Sequence, residues 1–282
     1  MMEYRFALIG YPIKHSLSPW IHERFLRKAG LQGTYTIREI DLEADFEQHV
    51  KQLMKEKIDG FNVTVPYKQK IMPLLDEIDP LAEKIGAVNT VTNENGKWVG
   101  YNTDGVGYVR SLESKLPDLL QHLSQRILLI GAGGAARGIY SALDHTGFTA
   151  IDIANRTKEK AVEIAGLGSE STVTNILSLQ EAAERMGDYD VIIQTTSVGM
   201  KPNVGKSILE LGHVKPTSIV SDIVYQPLVT KLLQDARQLG ASIHFGHTML
   251  LYQAQYAFEI WTNIKVPIDN MDDELQLTLE GR

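Results

Sequence analysis

The sequence predicts an α/β protein of two domains, an N-terminal α/β unit followed by a Rossmann-type doubly wound dinucleotide-binding domain. Three observations carry this. Apolar runs alternate with amphipathic stretches along the chain, the order that builds parallel sheets. The stretch R-I-L-L-I-G-A-G-G-A-A-R-G, Arg126 to Gly138, reads as a buried strand running into a glycine turn that opens a helix. At 282 residues the chain is also too long for one ordinary small domain.

Taken in order, Tyr4 to Ile9 reads as a buried strand closed by G-Y-P. In K-H-S-L-S-P-W, Ser18 followed by Pro19 predicts a helix start, with Ser18 as N-cap and Pro19 as the first helical residue. That helix should reach Ala29, with Gly30 past its end. Tyr35 to Ile40 is the next strand, Phe46 to Lys57 an amphipathic helix, and G-F-N-V-T-V-P-Y-K a third strand ended by Pro66. Pro73 and Pro80 punctuate two short helices. Asn95-Gly96 between V-N-T-V-T and K-W-V-G-Y is a strong hairpin signal. Y-N-T-D-G then leads into a helix from Gly105 to Leu116.

After the glycine turn, a helix should end near Gly147, and T-A-I-D-I-A forms the next strand with N-R-T at its carboxyl end. Ser178 and Glu181 make a capping box. D-V-I-I-Q-T-T, S-I-V-S-D-I-V-Y and A-S-I-H-F are further strands, Leu228 to Leu239 and Met249 to Ile264 further helices. The tail from Asp269 is a short helix or frayed. Strands alternating with helices imply parallel sheets.

In the glycine turn, Gly131, Gly133 and Ala136 fill the small positions of the G-x-G-x-x-G/A dinucleotide fingerprint. Gly131 lets the backbone turn out of the strand, Gly133 admits a pyrophosphate, and Ala136 lets the helix pack close to the strand. The cradle Gly131, Ala132, Gly133, Gly134 and Ala135 then offers unpaired N–H groups and the positive end of a helix dipole. An acidic residue about 20 positions on would hold a ribose 2′-hydroxyl. Asp152 is near that spacing but lies inside its strand. The strand ends in Asn155-Arg156-Thr157 instead, with Lys158 and Lys160 following. A cation is unfavourable at a helix N-terminus, so Arg156 points to a bound 2′-phosphate and to NADP.

Composition narrows the classes. Apolar residues at 43% and charged residues at 22% describe a soluble globular protein. A net charge of −7 without a dense Lys/Arg face argues against nucleic-acid binding. No cysteine is present, which excludes disulfides, thiolate metal sites and thiol nucleophiles. The eight histidines include no H-x-x-x-H pair, so no metal is expected. The apolar run Phe6 to Ile9 is too short for a signal peptide, and no later stretch approaches a membrane span. The expectation is a cytoplasmic protein with a small-molecule partner and no membrane partner. A homodimer is compatible with it.

Polar residues gather at predicted strand ends, where open α/β sheets bind ligands. Each also has a plain structural reading. Ser18 is a helix cap, Ser16 a turn residue, and Asn89 and Asn102 flank a hairpin. Thr64 alternates with Val63 and Val65, Lys68 follows a proline-terminated strand, and Asp104 is a candidate N-cap.

With these residues in view, the chain resembles the shikimate dehydrogenase family over nearly its whole length. The resemblance rests on I-G-Y-P-I-K-H-S-L-S-P, G-F-N-V-T-V-P-Y-K, G-A-V-N-T, Y-N-T-D-G and G-A-G-G-A-A. It continues through N-R-T, T-T-S-V-G-M, S-D-I-V-Y and G-H-T-M-L-L-Y-Q, in the family's order. It implies reversible NADPH-dependent reduction of 3-dehydroshikimate to shikimate in aromatic amino-acid biosynthesis. By position, Ser16 and Ser18 match the hydroxyls that hold the substrate carboxylate. Thr64, Asn89, Asp104, Tyr225 and Gln253 match other substrate contacts, and Lys68 and Asp104 the catalytic pair. Asn155, Arg156, Thr157 and Lys160 match the 2′-phosphate end of the cofactor site, Gly246 the glycine close to the nicotinamide, and Ile223 a further cofactor contact. The implied domains are residues 1–103, completed by a C-terminal segment 247–282, for substrate and 104–246 for NADP, with the active site in the cleft between.

Three departures from the family pattern stand out. The family reads G-x-G-M where this chain has Gly246-His247-Thr248-Met249, and Phe245 replaces a common polar residue. Thr248 is therefore expected to crowd the nicotinamide contacts and lower the rate. Lys160 stands where arginine is frequent, keeping charge but not bidentate pairing. Two alternatives remain at this point: a quinate/shikimate dehydrogenase paralogue using NAD, and an NADP-binding regulatory protein without turnover.

Overall fold

The computed structural model describes residues 3–281. They divide into two compact units. Among the described residues, the first comprises 3–103 and 253–267, the second 104–252 and 268–281. The C-terminal return into the first unit is thus shorter than the expected 247–282. The boundary falls inside one long helix, and the last helix packs with the second unit.

The first unit contains β1 (Glu3–Gly10), α1 (Ser18–Lys28), β2 (Gln32–Glu39), α2 (Phe46–Lys55), β3 (Gly60–Val63), β4 (Glu77–Ile78), α3 (Pro80–Ile85), β5 (Thr90–Glu94) and β6 (Lys97–Tyr101). Its sheet runs β2-β1-β3-β5-β6-β4. β1, β2 and β3 are parallel, but β5 is antiparallel to both β3 and β6. The sheet is therefore mixed: the hairpin expected at Asn95-Gly96 makes the β5–β6 pair antiparallel, and the antiparallel β3–β5 pair was not anticipated. The β5–β6 hairpin has a local cause: Asn95 (φ +55°) and Gly96 (φ +90°) form the left-handed pair that a two-residue hairpin requires. Helix α1 also begins differently from expectation. Leu17 is the N-cap and Ser18 the first helical residue, and the Ser18 N–H donates to Ser16 Oγ at 3.2 Å. Ser16, two residues earlier, thus satisfies the N–H of the first helical residue, one of the donors that a helix start leaves without an intrahelical partner.

The second unit contains α4 (Asp104–Lys115), β7 (Arg126–Ile130), α5 (Gly134–Thr146), β8 (Ala150–Ala154), α6 (Lys158–Ala165), β9 (Ile176–Leu177), α7 (Leu179–Glu184), β10 (Val191–Gln194), β11 (Ile219–Asp222), α8 (Lys231–Gln238), β12 (Ser242–Phe245), the start of α9 (Gly246–Thr262) and α10 (Met271–Glu280). Its sheet is parallel in the order β12-β11-β10-β7-β8-β9. The order reverses between β7 and β10, which is the doubly wound arrangement with its ligand crevice at that switch point. The apolar strands are buried on both faces, by Ile127, Leu129, Ile151 and Ile193 on one side and Leu128, Ile130, Ile192 and Val220 on the other. The capping box is formed: Ser178 Oγ accepts the Glu181 N–H, and the Glu181 carboxylate accepts the Ser178 N–H. The two-residue strands β4 and β9 were not legible in sequence, being too short to show a period. No helix among the described residues is long and apolar enough to cross a membrane.

Helices α4 and α5 approach through glycine. A Cβ on Gly105 would lie 2.2 Å from the Gly138 carbonyl oxygen and 2.8 Å from the Ala142 methyl. Gly105→Ala would gain about 1 kcal/mol of helix propensity and meet an overpacking penalty of about 3 kcal/mol. The expected result is a net loss of about 2 kcal/mol in urea unfolding followed by far-UV circular dichroism. Unchanged or higher stability would show that the two helices separate freely.

Candidate active site

In the first unit, the expected substrate residues lie at the end of β1, the end of β3 and the approaches to β5 and α1. A hydrogen-bond network ties several together. Asn62, inside β3, accepts from Tyr35 Oη at 2.8 Å and donates to Thr90 Oγ1 at 3.0 Å. Thr90 Oγ1 lies 3.0 Å from Asn89 Oδ1. Asn89 is buried; its Oδ1 accepts the Thr103 N–H at 2.8 Å, and its Nδ2 donates to Thr103 Oγ1 at 3.0 Å. Thr103 Oγ1 reaches Gln253 Oε1 at 3.5 Å. Asn89 thus grips the residue immediately before Asp104. Thr103, Asn62 and Tyr35 were missed in the sequence, where a polar residue inside an apolar strand (Asn62 between Phe61 and Val63) was the available signal.

Ser16 and Ser18 are joined Oγ to Oγ at 3.1 Å, with Ser18 buried. Thr64 is half-buried at the end of β3, and its methyl occupies the space a Cβ on Gly10 would need, 2.4 Å away. Gly10 is therefore small because Thr64 packs on it. Lys68 is half-buried, and its carbonyl accepts the Val88 N–H at 2.9 Å. This backbone bond anchors the lysine next to Asn89 whatever its side chain does. Asn102 donates to the Ala87 carbonyl at 2.9 Å, a structural role.

Asp104 opens α4 in the second unit and is buried, where the helix dipole favours a carboxylate. Gly131 has φ +114°, and a Cβ there would lie 2.6 Å from Thr195 Oγ1, so both conformation and space require glycine. Gly133 caps α5, and a Cβ added to it or to Gly134 meets nothing within 4 Å. The cradle is open on that side. A cavity of about 260 Å³ adjoins it, lined by Ile130, Gly131, Asn155, Arg156 and Thr196 among others. Arg156 is exposed at its rim, and Asn155 Nδ2 donates to the Thr157 carbonyl at 2.8 Å, holding the N-R-T turn. Thr157 caps α6 without a side-chain bond to it, and Lys160 is exposed. Asp152 is committed to partners inside the fold. It accepts from Asn175 Nδ2 at 2.8 Å and Tyr189 Oη at 2.9 Å and pairs with Arg126 at 3.4 Å.

At the far end of the same sheet, Gly246 admits no side chain. Its Cβ would lie 2.4 Å from the Ile223 carbonyl oxygen and 2.8 Å from that of Asp222. Asp222 was not anticipated. It accepts from Gln194 Nε2 at 3.0 Å, Val224 N–H at 2.9 Å and Thr230 Oγ1 at 2.7 Å, and so fixes the loops that follow β10 and β11. Burial pushes its pKa up to about 6 against those three bonds. Burial likewise raises the Tyr225 phenol, which is half-buried just beyond β11. Thr248, expected to crowd the nicotinamide contacts, turns inward. It is buried, donates to the Phe245 carbonyl at 2.7 Å and lies 3.0 Å from His244 Nε2. The crowding expected of it is corrected: in the first turn of α9 its side chain turns inward to polar partners.

The glycine cradle, the open helix start and the exposed arginine fit a dinucleotide bearing a 2′-phosphate. Comparison with known proteins points the same way. Residues 8–91 match the shikimate dehydrogenase substrate binding domain, 113–223 the shikimate / quinate 5-dehydrogenase family, and 246–276 the shikimate 5′-dehydrogenase C-terminal domain. A relative from Oceanobacillus iheyensis named shikimate dehydrogenase (NADP(+)) is 52% identical over 281 residues, spanning all of both chains. Shikimate 5-dehydrogenase from Thermus thermophilus, solved with NADP(H) and shikimate, is 32% identical at a TM-score of 0.85, covering 97% of this chain and 98% of that one. Quinate dehydrogenase from Corynebacterium glutamicum, solved with NAD, is 26% identical at a TM-score of 0.88, covering 98% and 100%. With sequence, fold and cradle in agreement over its full length, this chain belongs to the shikimate dehydrogenase family.

Proposed function

We propose that the protein catalyses the reversible NADPH-dependent reduction of 3-dehydroshikimate to shikimate in aromatic amino-acid biosynthesis. The observation that carries this reading is the full-length, 52% identical relative named for that activity and cofactor. NADPH supplies the hydride when bound, held by Gly131, Ala132, Gly133, Gly134 and Ala135 at its phosphates. Asn155, Arg156, Thr157 and Lys160 take its 2′-phosphate, and Ile223 and Gly246 its nicotinamide end. Ser16 and Ser18 hold the substrate carboxylate through their joined hydroxyls. Thr64, Asn89, Tyr225 and Gln253 contact its other polar groups. As a ketone is reduced its oxygen gains negative charge, which calls for a cation and a proton. Lys68 provides both from one ammonium group, and Asp104, the other member of the proposed catalytic pair, holds a substrate hydroxyl. Residues 1–103 with the C-terminal return serve the substrate, and residues 104–246 the cofactor. A cytoplasmic location belongs to the same proposal, and a homodimer is the assembly to look for by light scattering.

The test is NADPH formation from shikimate, run beside NAD and beside quinate. Turnover confined to shikimate and NADP supports the proposal. Preference for quinate with NAD would replace it with the paralogue reading, and NADPH binding without turnover with the silent binder. Arg156→Ala should raise the KM for NADP at least about tenfold, the worth of one charge-assisted contact, and leave that for NAD nearly unchanged. An equal rise for both cofactors would remove Arg156 from the 2′-phosphate site.

A further inference from the structure

The corner where β12 turns into α9 carries a buried line of four polar side chains. Tyr108 Oη lies 2.8 Å from Ser221 Oγ, Ser221 Oγ 2.8 Å from His244 Nδ1, and His244 Nε2 3.0 Å from Thr248 Oγ1. Thr248 Oγ1 ends the line 2.7 Å from the Phe245 carbonyl. All four residues are at most 3% exposed. A carbonyl only accepts, so the Thr248 proton points at Phe245. Thr248 Oγ1 must then accept, which places a proton on His244 Nε2. Burial disfavours an imidazolium here. Of the groups nearby, His247 and Lys115 also oppose it, while Asp272 and the Ser111 backbone favour it, and the ring is held down to a pKa of about 4. Nδ1 therefore carries a lone pair, Ser221 donates to it, and Tyr108 donates to Ser221. Every proton in the line runs one way, and every member is satisfied.

The line brackets the tightest backbone approach in this corner. Ser221 and His244 are paired neighbours on β11 and β12. Ser221 precedes Asp222 and Ile223, whose carbonyls leave no room for a Cβ on Gly246, and Phe245 precedes Gly246 itself. The corner lies at the carboxyl edge of the sheet, across the β7/β10 switch point from Arg156. A dinucleotide whose 2′-phosphate end is at Arg156 and whose pyrophosphate is at Gly133 must place its nicotinamide half on this side.

We propose that Tyr108, Ser221, His244 and Thr248 are positioning residues that hold Gly246 at a set height over the Ile223 carbonyl and so shape the floor under the nicotinamide half of the cofactor. This rests on the reading of the second unit as an NADP site. Thr248 is then the keystone of the corner rather than an obstruction in it.

The test uses the whole protein. Histidine 15N NMR should show His244 as the Nε2–H tautomer. Thr248→Val keeps the side-chain shape and removes the hydroxyl. It should weaken NADPH binding, followed by nucleotide fluorescence, about tenfold and lower kcat with shikimate by a similar factor, as the loss of one buried bond predicts. Thr248→Ser should restore both to within about twofold. Tyr108→Phe removes only the first donor and should show a smaller loss in the same direction, which serves if the valine variant does not fold. A proton on Nδ1 alone, or a folded Thr248→Val that binds and turns over as the parent does, would overturn the proposal. If the parent binds NADPH but does not act on shikimate, the functional reading fails, while the NADPH affinities of the valine and serine variants still decide this one.

Discussion

Lys68→Ala is expected to lower kcat for shikimate oxidation by about three orders of magnitude while leaving the Kd for NADPH within about twofold. The expectation has two parts because Lys68 has two attachments. Its backbone carbonyl is bonded to Val88 N–H in the first unit, a contact that alanine retains, so the segment keeps its place. Its ammonium is the proposed source of both charge and proton for the reduced oxygen, and alanine has neither. The cradle formed by Gly131, Gly133 and Gly134 belongs to the second unit and does not change. Steady-state kinetics and NADPH fluorescence titration separate the two parts. Loss of cofactor affinity in step with kcat would make Lys68 a structural residue and remove it from the chemistry.

The first unit should lose stability steeply on mild acidification, and His22 should be a principal cause. Its ring is fully buried on α1, stacked on Tyr35 at 4.4 Å and 3°, with Phe25, Phe258 and Trp261 around it. Neither ring nitrogen makes a well-formed hydrogen bond, Asn62 offering at most a weak one. Burial lowers the pKa to about 3, against a weaker opposing influence from Asn62. The folded value lies below the unfolded value of about 6.5, so the contribution is complete above that pH and is lost as the pH falls toward 3. At pH 5 the loss amounts to about 2 kcal/mol from His22 alone. His244, lowered to about 4, acts in the same direction in the second unit. Asp222 acts in the opposite one. Its raised pKa stabilises below about 4 and this is lost as the pH rises through 6, so acidification to pH 5 returns about 1 kcal/mol.

His22→Phe isolates the first effect, since phenylalanine can keep the stack on Tyr35 and has nothing to protonate. The three tryptophans, Trp20, Trp98 and Trp261, all lie in the first unit, so their fluorescence follows its unfolding. Urea midpoints at pH 7 and pH 5 should diverge, with the variant favoured by about 2 kcal/mol more at the lower pH. Parallel behaviour at both values would mean that the folded state accommodates a charged His22.

Features that depend on neighbours along the chain are legible in the residues alone. The strand–turn–helix at Gly131, the hairpin at Asn95-Gly96, the capping box at Ser178 and the alternation of elements all follow from local backbone conformation and short-range periodicity. Those interactions close within a few residues. The same holds for Arg156 at the end of β8, whose charge is out of place at a helix start whatever surrounds it. Tertiary structure decided what depends on residues distant in sequence. The antiparallel β3–β5 pairing, the start of α1 at Ser18 with Ser16 as its acceptor, and the two-residue strands β4 and β9 needed neighbours that sequence order does not supply. So did the fate of the polar side chains. Asn89 is committed to Thr103, Asp222 to three loop donors and Thr248 to His244, because a buried hydrogen-bonding group takes whichever partner the fold brings within 3 Å. Residue type announces that such a group needs a partner, and only the packing of strands and helices decides which one it has.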